Sequence, residues 1–177
     1  MGLRYENLDD ETRRFMLEEI DMDVRDGSIY ISSYLNARGC DEWPRLLREA
    51  AERGTDDSLA AAIRADRCLK DRVERRKPKG GTTIVNVPYT AHETLGEGQF
   101  NMYYTRGLCR RAIEARQAEL EVYRAKEVAE PRPESQALIG RRLNPQAILG
   151  DLRTTKGVES ALGLARPNSG LTLRIPR

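Results

Sequence analysis

The chain has 177 residues, of which 33% are charged and only 6% are aromatic. An ordinary soluble domain has about 25% charged residues, so this composition predicts a modest core and a large polar surface. The net charge of +2 is too small to draw the whole chain onto a nucleic acid or a membrane, so any such contact must come from a local cluster.

Segments that would direct the chain elsewhere are not evident in the sequence. There is no run of about 18 apolar residues, so no contact with a membrane is expected, and the first residues resemble neither a signal peptide nor a transit peptide. The three cysteines, Cys40, Cys68 and Cys109, are widely spaced. This spacing predicts reduced thiols in a cytosolic compartment, and neither a zinc site nor any other cofactor is expected.

Three helices are predicted in the N-terminal part of the chain, over 9–26, 41–53 and 57–76. The first has acids at its start and an apolar stripe at helical spacing. The second is expected to begin after Asp41, with Pro44 in its first turn. The third is expected to run into a basic end, because the helix-breaking glycine pair comes only after residue 79.

A long central helix is predicted over 90–115. Thr90 and Glu93 match the capping box that opens many helices, and small or apolar residues then recur in steps of four and three along one face. The glycines near the start leave open a later beginning, at about residues 98–100. We expect the small-residue face to meet the core or a partner helix.

Short strands are predicted on either side of the central helix, over 82–87 and 119–125, and we expect them to pair with each other. From residue 129 the chain is interrupted by proline and glycine, with a short helix after Asn144 and a strand-like end over 171–175. The expected fold is therefore α+β and mainly helical: three N-terminal helices, a long central helix flanked by two short strands, and an extended C-terminal arm.

The predicted domain organisation is a compact body, 1–128, and the extended arm, 129–177. The arm has few apolar anchors, so we expect neighbouring subunits to hold it, by domain swapping or strand addition. The residues expected to pack between subunits are Leu95, Gly98, Met102, Cys109, Leu171, Leu173 and Ile175.

No constellation typical of catalysis or metal binding stands out, so no catalytic residue and no metal ligand is predicted. His92 is the single histidine, and its position in a first helical turn favours a structural role. Cys109 lies on the small-residue face, which favours packing over nucleophilic chemistry. The acids of the first helix, among them Glu18, Glu19 and Asp23, are expected on a solvated surface.

Two basic clusters are candidate contacts for a nucleic acid or an acidic partner. The first contains Arg75, Arg76, Lys77 and Lys79, and the second contains Arg106, Arg110 and Arg111. Acidic residues lie close to both clusters along the chain, which leaves a salt-bridged surface or a subunit contact open as alternatives.

The C-terminal half contains GQFNMYYTRGLCRRAI at 98–113, EVYRAK at 121–126, PRPES at 131–135 and PNSGL at 167–171. In these segments the chain resembles small uncharacterised proteins encoded among the structural genes of tailed bacteriophages. The resemblance implies a virion component assembled in the bacterial cytoplasm, in the capsid or at the head–tail connection. It implies no particular catalytic or binding residue.

The leading hypothesis from the sequence is a non-enzymatic structural subunit that assembles with copies of itself and with other structural proteins. The first alternative is a nucleic-acid-binding module, with DNA as its partner, that uses the two basic clusters. The second is an enzyme whose site the residue spacing does not reveal.

Overall fold

The computed structural model describes residues 2–78, 80–130, 132–158 and 169–176. These residues form a mainly helical α+β fold with a long central helix, as predicted. The elements, in chain order, are α1 (Asp10–Arg25), α2 (Ala37–Arg53), α3 (Asp56–Ala65), β1 (Arg72–Arg76), β2 (Thr82–Asn86), α4 (Ala91–Glu114), β3 (Leu120–Arg124), α5 (Pro133–Gln136), β4 (Arg142–Leu143), α6 (Pro145–Thr155) and β5 (Leu171–Arg174). Within the described ranges, none of the helices has the length and apolar character needed to cross a bilayer.

Helix α4 lies at the centre of the molecule, with α1, α3 and α6 packed around it. Two of its glycines allow this close packing. A Cβ atom on Gly96 would lie 3.0 Å from the backbone nitrogen of Ala60 in α3, and one on Gly107 would lie 2.9 Å from the backbone nitrogen of Met16 in α1. The absence of these two side chains therefore brings α3 and α1 against the same helix.

The start of α4 differs from the predicted capping box. The helix begins at Ala91, as the longer of the two predictions had it, but the Thr90 side chain makes no capping hydrogen bond. The backbone nitrogen of Ala91 instead donates to the carbonyl oxygen of Pro88. A turn of the preceding backbone thus opens the helix.

The predicted bounds of α1 and the predicted end of α2 agree with the observed ones, but α2 begins earlier than predicted. Asp9, the first residue of the predicted helix, caps α1 by accepting a hydrogen bond from the backbone nitrogen of Thr12. Helix α2 begins at Ala37, before Asp41, because Asn36 is its cap. The Asn36 carboxamide accepts from Gly39 N at 2.7 Å and donates to the carbonyl oxygen of Leu69, so it also fastens α2 to the chain beyond α3.

The prediction of one helix over 57–76 was wrong. Helix α3 ends at Ala65, and Arg67 adopts a left-handed backbone conformation with φ of 51°. The backbone nitrogen of Cys68 then donates to the carbonyl oxygen of Ile63, which closes the helix end. The basic residues that follow form strand β1 instead of a helical end.

Strands β1 and β2 form an antiparallel hairpin, hereafter the basic hairpin (72–86). Gly80 and Gly81 have φ values of +91° and +79°, which glycine adopts at little cost, and these residues turn the chain. The prediction that β2 pairs with β3 was therefore wrong. Strand β3 lies in a separate antiparallel sheet of order β4-β3-β5.

Beyond residue 129, α6 and β5 pack against the body, so the expectation of an extended arm is corrected for these two elements. Helix α6, capped by Asn144, packs against α4, and β5 pairs with β3. Leu171 and Leu173 are fully buried in the same core as the helices. No neighbouring subunit is therefore needed to hold residues 169–176, because β3 of the same chain is the partner strand.

Candidate functional site

A buried ionic cluster joins α1 to α4. Arg106 of α4 is completely enclosed, as are Glu19 and Asp23 of α1. The Arg106 guanidinium donates to Glu19 Oε2 through Nε at 2.9 Å and to Asp23 Oδ2 through Nη1 at 2.6 Å. Tyr103 adds a hydroxyl that donates to the same Asp23 oxygen at 2.9 Å. Such paired, hydrogen-bonded charges are the form in which ions persist inside a protein.

Three further cations meet the same two carboxylates from the rim of the cluster. Arg110 donates to Glu19 Oε1 at 3.0 Å, and Arg153 donates to the same oxygen at 2.5 Å. The Lys156 Nζ lies 3.2 Å from Asp23 Oδ1. Because Arg153 and Lys156 come from the end of α6, the cluster fastens that helix to α1 and α4.

The cations keep both carboxylates ionised. Burial by itself would raise the pKa of the Glu19 carboxyl, but the hydrogen bonds and charges of Arg153 and Arg106 hold this pKa below its ordinary value. The pKa of Asp23 is likewise lowered against the effect of burial, mainly by Arg106. These acids are therefore permanent acceptors for the arginines, and a group held in that state is a poor general base near neutral pH.

The expectation that the acids of α1 lie on a solvated surface was wrong for Glu19 and Asp23. A signal for their burial exists in the sequence. Both acids fall at the helical spacing of the apolar stripe that contains Phe15, Met16 and Ile20, so they share its inward face. Arg153, which the sequence gave no reason to single out, completes the cluster.

The arginines of the second basic cluster, Arg106, Arg110 and Arg111, form ion pairs within the chain. Arg106 has no exposed surface, so it is not available to a nucleic acid. Arg110 pairs with Glu18 as well as with Glu19. Arg111 pairs with Asp9 at 2.7 Å and with Glu11 at 2.8 Å. The salt-bridged alternative is thus the arrangement that the structure contains for this cluster.

The residues expected to pack between subunits lie in the chain's own core. Leu95, Met102 and Cys109 of α4 are buried together with Leu171 and Leu173 of β5. Gly98 is also buried, and Ile175 is half-buried against the same core. The expectation is corrected for these positions, because the spacing that marks an apolar helical face is the same for packing within a chain and between chains.

The single histidine and the cysteine on α4 are placed as packing residues. His92 is buried at the start of α4, with its ring edge-on to Tyr89. Cys109 is completely buried, and burial raises the pKa of its thiol well above the ordinary value. Among the described residues, no three histidine, cysteine or acidic side chains converge in a way that could hold a metal ion.

The first basic cluster differs, because it remains exposed. Arg75, Arg76 and Lys77 lie on the basic hairpin with solvent-accessible side chains, and within the described ranges none of them forms an ion pair. Lys79, the fourth predicted member, lies outside the described residues. The nearest acids in sequence, Asp71 and Glu74, do not pair with these cations either.

A groove of about 530 Å³ lies where the basic hairpin joins the body, and we call it the basic groove. It runs between the end of α3 and the start of α4. Among the described residues that line it, the charged ones are Arg64, Arg67, Lys70 and Arg72 together with one acid, Asp71. The rest of the wall includes Asn86, Pro88, Tyr89 and His92. Sequence reasoning missed Arg64 and Arg67, because they were expected to be part of a longer helix.

No family model, no curated protein and no solved structure matches this chain.

Proposed function

We propose that this chain is a non-enzymatic structural subunit of a large assembly. The proposed assembly is a bacteriophage particle, in which the chain is capsid-associated or part of the head–tail connection. Its partners in this proposal are copies of itself and other structural proteins. The segment 98–113 and the shorter segments, which resemble small uncharacterised proteins encoded among the structural genes of tailed bacteriophages, support the assignment to a virion. The basic hairpin supports a contact with another subunit.

The observation that carries the proposal is the isolation of the basic hairpin. Among the described strands, β1 and β2 pair only with each other, so each keeps an outer edge free. Neither strand packs extensively against a helix of the body. A two-stranded ribbon of this kind is marginally stable alone, and a free edge is a template for a strand from another chain.

The exposed apolar surface of the basic hairpin favours a protein partner. Ile84 is 67% exposed in the middle of β2, while Val73 and Val85 on the opposite face are half-buried. A partner that covers Ile84 would remove its apolar surface from water, and such burial contributes roughly 25 cal/mol of favourable free energy per Å². Of the two described sheets, the basic hairpin that carries this surface is the one that does not pack over a hydrophobic core.

The argument from the C-terminal arm no longer supports the assembly role, because the described residues of 169–176 are held by β3 of the same chain. The body instead supplies a rigid base. The buried ionic cluster joins α1, α4 and α6, so the basic hairpin is attached to a body whose helices are connected to one another.

The proposal is tested with an affinity-tagged full chain expressed in its native cell, compared with the variants Ile84→Asp and Val24→Asp. Both substitutions place a charge at an exposed apolar residue, but Val24 lies at the end of α1 and is the control. We expect the unmodified chain to purify in particles far larger than 20.1 kDa, together with capsid, portal or tail proteins identified by mass spectrometry.

Ile84→Asp is expected to reduce recovery of those particles strongly, and Val24→Asp is expected to leave it unchanged. Sedimentation velocity on the purified chains supplies the second measurement. A chain that sediments as a monomer at every concentration, with no phage structural protein alongside it in the cell, would overturn the proposal.

A further inference from the structure

We propose that the basic groove binds single-stranded nucleic acid, with phosphates on its arginines and a base stacked on Tyr89. This inference is independent of the structural role proposed above, since a subunit of any assembly, or a free protein, could use the groove. It rests on three features of the described residues: uncompensated charge, an exposed aromatic ring and a basic path that leads away from the groove.

The charge of the basic groove lacks an internal partner. Arg64, Arg67 and Arg72 form no ion pair among the described residues, in contrast to the arginines along α4. The Lys70 Nζ donates to the carbonyl oxygen of Ser33 at 3.0 Å, a neutral acceptor, which holds this side chain at the wall of the groove. Four cations held against one acid attract polyanions, and a phosphate backbone supplies negative charge at regular spacing.

The aromatic ring of Tyr89 is placed to receive a base. Tyr89 is 75% exposed and lies between Pro88 and the start of α4. The Arg64 guanidinium carbon lies 5.4 Å from the centre of its ring, and the His92 ring meets it edge-on at 6.1 Å. Proteins that bind single strands combine such a ring with a basic channel, because every base can stack on an aromatic face.

The exposed ring favours a single strand over a duplex. In a duplex the bases are already stacked on each other, so Tyr89 would face only the backbone and gain little. An acidic peptide could neutralise the arginines but offers no flat group for the ring. The combination of charge and ring therefore favours nucleic acid over acidic protein as the occupant.

The basic hairpin continues the path away from the groove. Arg72 lies in the groove, and Arg76 lies four residues along the same strand on the same face, a distance of about 13 Å at the usual rise per residue. Glu74 and its cross-strand partner Ile84 lie between these two arginines on the same face. A strand of nucleic acid that leaves the groove would therefore pass one acid before it reaches Arg76. The basic hairpin would then guide the bound strand, and the groove would fix one nucleotide.

The test measures fluorescence anisotropy of labelled oligonucleotides with the full chain across a range of salt concentrations. The probes are a single-stranded DNA, an RNA of the same sequence, the matching DNA duplex and a polyglutamate competitor. The variants are the double substitution Arg64→Gln with Arg67→Gln, and separately Tyr89→Leu and Tyr89→Phe. The matched control is Arg132→Gln with Arg141→Gln, which removes two exposed positive charges near α5 and β4.

We expect salt-dependent binding of single strands that is tighter than binding of the duplex. Removing Arg64 and Arg67 is expected to flatten the dependence of log K on log salt by about 1.4, since each phosphate contact of a single strand contributes about 0.7. Tyr89→Leu is expected to weaken binding about tenfold with the salt dependence kept, and Tyr89→Phe is expected to bind as the unmodified chain does. The RNA and DNA arms show which of the two the groove prefers.

Several results would overturn the inference. One is an affinity that does not change with salt, and another is an equal loss of affinity in the control pair. Duplex binding as tight as single-strand binding would refute the stacking role of Tyr89. Displacement of the oligonucleotide by polyglutamate at equal charge concentration would assign the groove to an acidic protein instead. Circular dichroism and thermal melts of each variant confirm that the body is folded.

Discussion

The arginines around α4 and those around the basic hairpin differ in what neutralises them. Arg106 and Arg110 are paired with carboxylates of α1, and α6 adds Arg153 to one of them, Glu19. Arg64 and Arg76 have no carboxylate partner among the described residues and face solvent. Residues that looked alike in the sequence thus have two different environments: one set holds helices together, and the other remains exposed to solvent.

The difference follows from where acids occur in three dimensions. Arg106 lies on the face of α4 that crosses α1 at Gly107, where Glu19 and Asp23 point inward. The described cations of the basic hairpin form no ion pair with an acid of α1 or of any other helix, so their charge stays uncompensated. Whether an arginine is neutralised is therefore decided by its distance from an acid in the folded structure, and its distance from an acid along the sequence is a poor guide.

The largest expected effect breaks the compensated region. Arg106→Met would leave Glu19 and Asp23 buried with reduced neutralisation, and removing one partner of a buried ion pair costs about 3–5 kcal/mol. We expect the free energy of unfolding, measured by urea titration, to fall by this amount. The control is Arg76→Met on the basic hairpin, where an exposed substitution should change the value by no more than about 0.5 kcal/mol. Equal losses in the two variants would contradict the contrast drawn between the regions.

A smaller loss is expected from Gly107→Ala, which tests the crossing that brings the acids to Arg106. The new Cβ atom would lie 2.8 Å from Met16 Cγ and 3.0 Å from the carbonyl oxygen of Thr12. Overpacking of this kind typically costs about 1–3 kcal/mol, which outweighs the gain in helix propensity. The matched control is Gly150→Ala in α6, where no atom lies within 4 Å of the new carbon, and it should stabilise the chain slightly. A stabilising Gly107→Ala, seen in the same urea titration, would show that the helices are not in close contact there.

The pH dependence of stability probes the same carboxylates. Their pKa values are lowered in the folded chain, so their ionised forms contribute stability above the unfolded pKa of about 4, and this contribution is lost as pH falls through the lower, folded values. We expect the free energy of unfolding to decline as the solution is acidified below about pH 4, and Asp23→Asn to flatten that decline. Asp26→Asn, an exposed change at the end of the same helix, serves as the control. The free energy of unfolding is measured at each pH by denaturation followed by circular dichroism. If its decline with acid is the same in Asp23→Asn as in the unmodified chain, the buried ionic cluster does not cause the loss of stability in acid.

Local patterns in the sequence were enough to find α1, α4, α6 and the final strand, since caps and periodicity act within a few residues. The end of α3 was missed because Arg67 adopts a left-handed backbone conformation, which arginine rarely adopts and which its residue type therefore does not predict. The pairing of β2 was missed because it depends on β1, which had been assigned to a helix. Strand partners are set by long-range packing, and a single sequence carries little record of it.

The candidate site was predicted in part, for a related reason. The exposure of Arg75 and Arg76 follows from a hairpin that stands apart from the body, whereas the closure around Arg106 needs the crossing of two distant helices. Tyr89 and Arg64 were not singled out because they are far apart in sequence and meet only where the hairpin leaves the body. An arginine in a sequence is therefore a candidate for either role until its neighbours in space are known.

The smallest expected effect compares two glycines with left-handed backbone, Gly81 in the turn of the basic hairpin and Gly27 after α1. Their φ values are +79° and +62°, and neither site has an atom within 4 Å of a new Cβ, so alanine introduces backbone strain without a clash, worth about 1 kcal/mol at each. In Gly81→Ala the strain should appear as faster hydrogen exchange of the β1 and β2 amides, with the free energy of global unfolding unchanged, because the hairpin opens independently of the core. In Gly27→Ala the same strain should lower the global value, since this turn follows directly on the helix that holds Asp23, and the Ser28 nitrogen donates to the Asp23 carbonyl oxygen. If Gly81→Ala lowers the global value as much as Gly27→Ala does, the hairpin unfolds with the body, and the compensated and uncompensated arginines belong to one cooperative unit.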